Sequence, residues 1–169
     1  MTAMYQLKRL SPESLPAALQ KAERYRLLNQ PWAAESICHD ILAIEPEHQQ
    51  ALVLLLLCIT DQIGHGLAAG VTHAREVLPR LRSEYQRTYY AGIICERRAE
   101  TQLDLGGIGS ETAVYPWIRE AMDWYEKAEK IRPAGNDESL LRWNTCARLL
   151  MQNPRLAPQV EAYQPTLGE

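Results

Sequence analysis

The chain has 169 residues, 46% hydrophobic and 23% charged. That is the balance of a globular protein with one sizeable core, not of a disordered or collagen-like chain. A formal net charge of -3 supplies no basic field, so neither nucleic acid nor an anionic membrane surface is the expected partner. The longest apolar run, Ala51 to Ile59, is too short to cross a bilayer. The opening residues MTAMYQLKRLSPES lack the apolar stretch and small-residue cleavage site of a secretory signal. The expectation is a cytoplasmic protein without membrane insertion.

The predicted elements are all helical, with no stretch of clean period-2 alternation. Helix one opens at Ser11-Pro12-Glu13, with the serine as side-chain cap and proline in the first helical position, and runs to about Leu28. Asn29-Gln30-Pro31 breaks it. Helix two sets Ala34, Ile37, Cys38, Ile41 and Ile44 on one stripe, and Pro46 marks the next corner. Helix three, about Glu47 to Ile63, is apolar nearly all round and belongs in the middle of the bundle. Gly64-His65-Gly66 leads into helix four, which ends near Leu78. Helix five spans Ser83 to about Asp104, with Arg87, Glu96, Arg97, Arg98 and Glu100 expected on its wet side. Residues 105–112 read as a loop by glycine content. Helix six is expected from Tyr115-Pro116, burying Trp117, Ala121, Trp124, Tyr125, Ala128 and Ile131. Helix seven covers Asp137 to about Met151. Residues 152–169, with Pro154, Pro158 and Pro165, read as an extended or partly ordered tail.

Two stretches share one spacing. Ala34, Cys38, Ile41 and Pro46 stand four, three and five residues apart, and so do Ala121, Tyr125, Ala128 and Pro133. A small residue, a larger apolar one a turn later and a proline past the helix end suit the second helix of a packed pair. With Ala22 and Tyr25 ahead of Ala34, this resembles the tetratricopeptide repeat, whose pattern is W-x2-L-G-x2-Y, then A-x3-F, then P. The register departs from the family in places: Pro46 and Pro133 lie 87 residues apart, which is not a multiple of the 34-residue period. In the middle unit Ala68 keeps its place while the proline moves to Pro79. The resemblance implies an all-α, antiparallel helix-pair solenoid over residues 11–151, about seven helices, the last acting as a solvating cap through Arg142, Asn144 and Arg148.

In the family, the first helix of each pair lines a concave face that binds peptides. Carried onto this sequence, that implies a peptide-binding set of Glu23, Arg26, Gln50, Val53, Leu57, Tyr89, Ile93 and Arg97, with Thr60 and Glu96 on the same faces. The positions at which some members clamp a terminal carboxylate hold Leu19, Glu23 and Leu54, so that chemistry is not expected.

The remaining residues give little catalytic signal. Cys38, Cys58, Cys95 and Cys146 form no C-x-x-C pair and read as reduced, buried hydrophobes. His39, His48, His65 and His73 include no i, i+4 pair, so neither a metal nor another cofactor is expected. There is no G-x-S-x-G or H-E-x-x-H motif. Gly106 to Ser110 lacks the preceding strand and terminal Gly-Lys-Ser/Thr of a phosphate loop. Asp123, Glu126 and Glu129 read as a solvated face. All twelve aromatics are Tyr or Trp, each with a polar handle that favours boundary positions. The expected function is a non-catalytic adaptor that binds another protein or peptide segment. Two rivals stand beside it: a self-associating structural subunit, such as a homodimer, and a small-ligand binder or enzyme using the Gly106–Ser110 loop.

Overall fold

A computed structural model describes residues 4–65 and 67–158. Among them are seven α-helices and no strand: α1 Leu15–Leu27, α2 Pro31–Ile44, α3 Gln49–Asp61, α4 Leu67–Val77, α5 Glu84–Leu105, α6 Ser110–Lys130 and α7 Glu138–Gln152. Helices adjacent in sequence pack against each other, most extensively α5 on α6 and α1 on α2. The all-helical expectation holds.

The local signals differ in detail. Pro12–Ser14 form a turn of 3-10 helix and Ser11 makes no side-chain cap; instead the Ser14 hydroxyl donates to the Ser11 carbonyl at 2.8 Å. At the far end of α1, Asn29 takes a left-handed φ of 57°, which lets the Gln30 amide close back on the Tyr25 carbonyl at 2.9 Å. The imidazole of His48 caps α3 by accepting from the Ala51 amide, and the Ser83 hydroxyl caps α5 by accepting from the Gln86 amide.

The start of α6 is a correction. It begins at Ser110, not at Tyr115, and carries Pro116 in its interior. Gly109, with φ 81°, turns the chain into the helix. Burial decides the rest: Val114, Ile118, Ala121, Tyr125 and Ala128 are each fully buried, and that stripe continues a turn before the proline. Packing therefore overrides the proline signal. Trp117 and Trp124 are half-buried rather than core, stacked under Arg98 and Lys127, and Ile131 is exposed.

Two cores lie along the chain. The first joins α1 to α4 and receives Ile94 from α5. The central place expected for α3 is seen, since Ala51, Leu52, Leu54, Leu55, Leu56, Cys58 and Ile59 are all buried. The second core joins α5, α6 and α7. Leu156, from the segment expected as a tail, is 1% exposed and packs into it; residues 159–169 lie outside the described residues. All four cysteines are buried and free.

The wet side expected of α5 needs a second correction. Glu96 is 2% exposed. Its carboxylate accepts from the Tyr125 hydroxyl at 2.5 Å and from the Arg142 guanidinium, whose Nε stands 3.1 Å away and whose terminal nitrogen is also in contact. Arg142, expected on the outer face of the last helix, turns inward to make this pair. Burial and the neighbouring Glu96 carboxylate hold the Tyr125 phenol far above its ordinary value. Burial opposes the Arg142 charge, but attraction to Glu96 more than offsets it and the group stays cationic. Close approach makes the arrangement fit: a Cβ on Gly92, one turn before Glu96, would lie 2.5 Å from the Tyr125 ring.

Removing one member of a buried ion pair strands the other. Arg142→Met is expected to destabilise the fold by about 3 kcal/mol, read by urea unfolding. The double variant Arg142→Met/Glu96→Leu should recover much of that loss.

Candidate functional site

One side of the molecule is lined by alternate helices. On α3, Gln50, Val53 and Leu57 follow the i, i+3, i+7 spacing of a single helical face; Val53 and Leu57 are only partly buried, unlike their neighbours. With Glu23, Arg26 and Leu27 of α1 and Gln86 of α5 they line a cavity of about 400 Å³. Arg26 and Leu27 also line a second cavity of about 640 Å³, completed by Asp61 from the end of α3 and Arg97, Glu100, Asp104 and Leu105 from α5. The two cavities share these residues as a common wall and so adjoin one another across α1, α3 and α5, and together they are called the groove. Leu27 and Leu105, 83% and 62% exposed, present apolar surface along it.

Six of the eight residues named from sequence line this groove: Glu23, Arg26, Gln50, Val53 and Leu57 in the first cavity and Arg97 in the second. Tyr89 and Ile93 do not. Both are buried in the second core, where Tyr89 stacks on Tyr85 and meets Tyr90 edge-on. Burial pushes the phenols of Tyr89 and Tyr90 up, the latter to about 12. Of the two flanking positions, Thr60 lines the second cavity, although its hydroxyl is turned back onto the Leu57 carbonyl, and Glu96 is held by Arg142.

The groove's charges are largely paired within it. The Arg26 guanidinium grips Asp61 through two bonds, at 2.7 and 3.3 Å, tying the end of α1 to the end of α3. Arg97 donates to Glu100 at 3.2 Å and lies 3.9 Å from Asp61. Sequence spacing could suggest the i, i+3 pair of Arg97 and Glu100 but not the Arg26–Asp61 pair, whose members stand 35 residues apart.

Of the cavities elsewhere, two touch residues singled out above. One of about 790 Å³ is floored by Ala91, Ile94 and Cys95 of α5, with Arg75 on α4 and Glu120 and Trp124 on α6. Burial and the Glu120 carboxylate push the Cys95 thiol up to about 12, which favours its protonated form. The other, about 570 Å³, lies beside Gly106–Ser110. There the Ser110 hydroxyl donates to the Gly107 carbonyl, and Glu111 pairs with Arg155 at 3.3 Å. Among the described residues no group of three or more His, Cys, Asp or Glu is arranged to hold a metal ion, and no helix is long and apolar enough to cross a membrane.

No family model matches this chain, and no curated protein or solved structure matches it.

Burial raises the Glu100 carboxyl above its ordinary value of 4.5, against the pull of Arg97. The folded state thus binds this proton more tightly than the unfolded state does. Its contribution to stability falls as pH rises from about 4.5 through the folded value. Glu100→Gln should flatten that part of the stability profile, measured by urea unfolding between pH 4 and 8; an unchanged slope would contradict the assignment.

Proposed function

We propose that this chain is a non-catalytic adaptor, a degenerate tetratricopeptide-like helical repeat that takes a peptide or helix of another polypeptide in the groove formed by α1, α3 and α5. The observation that carries this reading is that two adjoining cavities, spread over three helices, share Arg26 and Leu27 in their walls. A lone pocket would suit a small molecule, whereas a groove crossing three helices, with apolar side chains in the middle and polar ones at its rims, suits a polypeptide segment. Neighbour-on-neighbour packing of successive helices supports a short solenoid, and the Ala/Pro spacing supports the repeat. The cytoplasmic assignment belongs to the same proposal; buried free thiols support a reducing compartment.

A second reading has its own observation. Leu28 and Trp32, 61% and 75% exposed at the α1–α2 corner, lie beside Leu27 in sequence and suit self-association of this chain.

Photo-crosslinking side chains placed at Gln50 and Gln86 should capture polypeptide from native extract, while the same group at Glu129, on the exposed side of α6, should not. Leu27→Ser/Leu105→Ser should reduce capture several-fold without changing the unfolding midpoint. Equal capture at all three positions would overturn the groove as the binding site. Light scattering over a range of concentrations separates the second reading: a constant monomer mass excludes it, and a dimer abolished by Trp32→Ser establishes it.

A further inference from the structure

The groove is polar along its length. Its first end is formed by Gln49 and Gln50 at the start of α3 and Gln86 near the start of α5. Its other end gathers the closing residues of three helices: Leu27 of α1, Thr60 and Asp61 of α3, and Asp104 and Leu105 of α5. Helix C-termini carry negative partial charge and N-termini positive, so the backbone alone sets a gradient down the groove.

The side chains steepen it. The far end holds three carboxylates, Asp61, Glu100 and Asp104, against two guanidiniums, Arg26 and Arg97. Both guanidiniums are already engaged, Arg26 by Asp61 and Arg97 by Glu100. Among the described residues Asp104 has no basic partner, and Glu23 adds a further carboxylate to the rim of the first cavity. No lysine lines either cavity. Between the ends lies the apolar surface of Val53 and Leu57, which Leu27 joins from the far end.

Resting on the reading of the groove as a polypeptide site, we infer that its occupant is a basic amphipathic segment of another protein. Its apolar residues would lie on Leu27, Val53 and Leu57, and a lysine or arginine would reach Glu100 and Asp104. Charge complementarity selects this occupant over an acidic segment or a terminal carboxylate, which would meet an excess of carboxylates and, among the described residues, only arginines already paired with them. The guanidinium nitrogen Arg97 Nε, which has no hydrogen-bond partner, is buried. Proteins use such complementarity to reject wrong partners as much as to hold the right one.

Three fluorescein-labelled model peptides test this on the full chain by anisotropy: an amphipathic helix of Leu and Lys, the same sequence with Gln for every Lys, and the same with Glu. The Lys peptide should bind about tenfold tighter than the Gln peptide, a difference of about 1.4 kcal/mol, and the Glu peptide weakest. Asp104→Lys should erase most of that preference. Glu129→Lys, which changes net charge equally but lies away from the groove, should leave it nearly intact. If the Gln or Glu peptide binds as tightly as the Lys peptide, or if the two charge reversals weaken binding alike, the basic-segment inference is overturned while a polypeptide groove can still stand. If none of the three binds, or if binding ignores Leu27→Ser/Leu105→Ser, the groove reading itself fails.

Discussion

The arrangement of the C-terminal half depends on one buried carboxylate. Glu96 sits midway along α5 with almost no access to water, and an unpartnered charge there would cost several kcal/mol. Its partners come from two other helices: the Tyr125 hydroxyl from α6 and the Arg142 guanidinium from α7. Satisfying the carboxylate therefore ties three helices together at one buried point. Gly92 belongs to the same constraint, because the absence of a side chain there lets the Tyr125 ring lie against α5.

The same contact bears on what the rest of α5 faces. With Glu96 turned toward α6 and α7, Ile94 enters the first core, and Arg97, Glu100 and Asp104 line the side shared with α1 and α3. The helix is thus both the joint between the two cores and one wall of the groove. α3 supplies the floor. It is so apolar that almost every face is covered, yet Gln50, Val53 and Leu57 stay partly open. The Arg26–Asp61 pair holds the ends of α1 and α3 together below them. Pairing of the groove's arginines with its own carboxylates leaves that end acidic in character, with three carboxylates against two guanidiniums.

Much of this was legible in the residues alone. The 3.6-residue periodicity, the glycine and proline breaks and the uniform apolarity of 51–59 determined seven helices, their approximate ends and the central place of α3, because these signals are local and the backbone must satisfy them within a few residues. The stripe of Gln50, Val53 and Leu57 was also readable, since it needs only the helical period. Other features belonged to the tertiary structure. Glu96 and Arg142 look like solvated residues in sequence and become a buried pair only once α5 and α7 meet. Tyr89 and Ile93 share a helix with Arg97, but rotation about α5 sends them into the core. Ser110 to Thr112 looks like loop until Val114 finds a buried place and draws the helix back past its proline. In each case the deciding energy is desolvation or pairing between residues distant in the chain, and no short-range pattern carries that information.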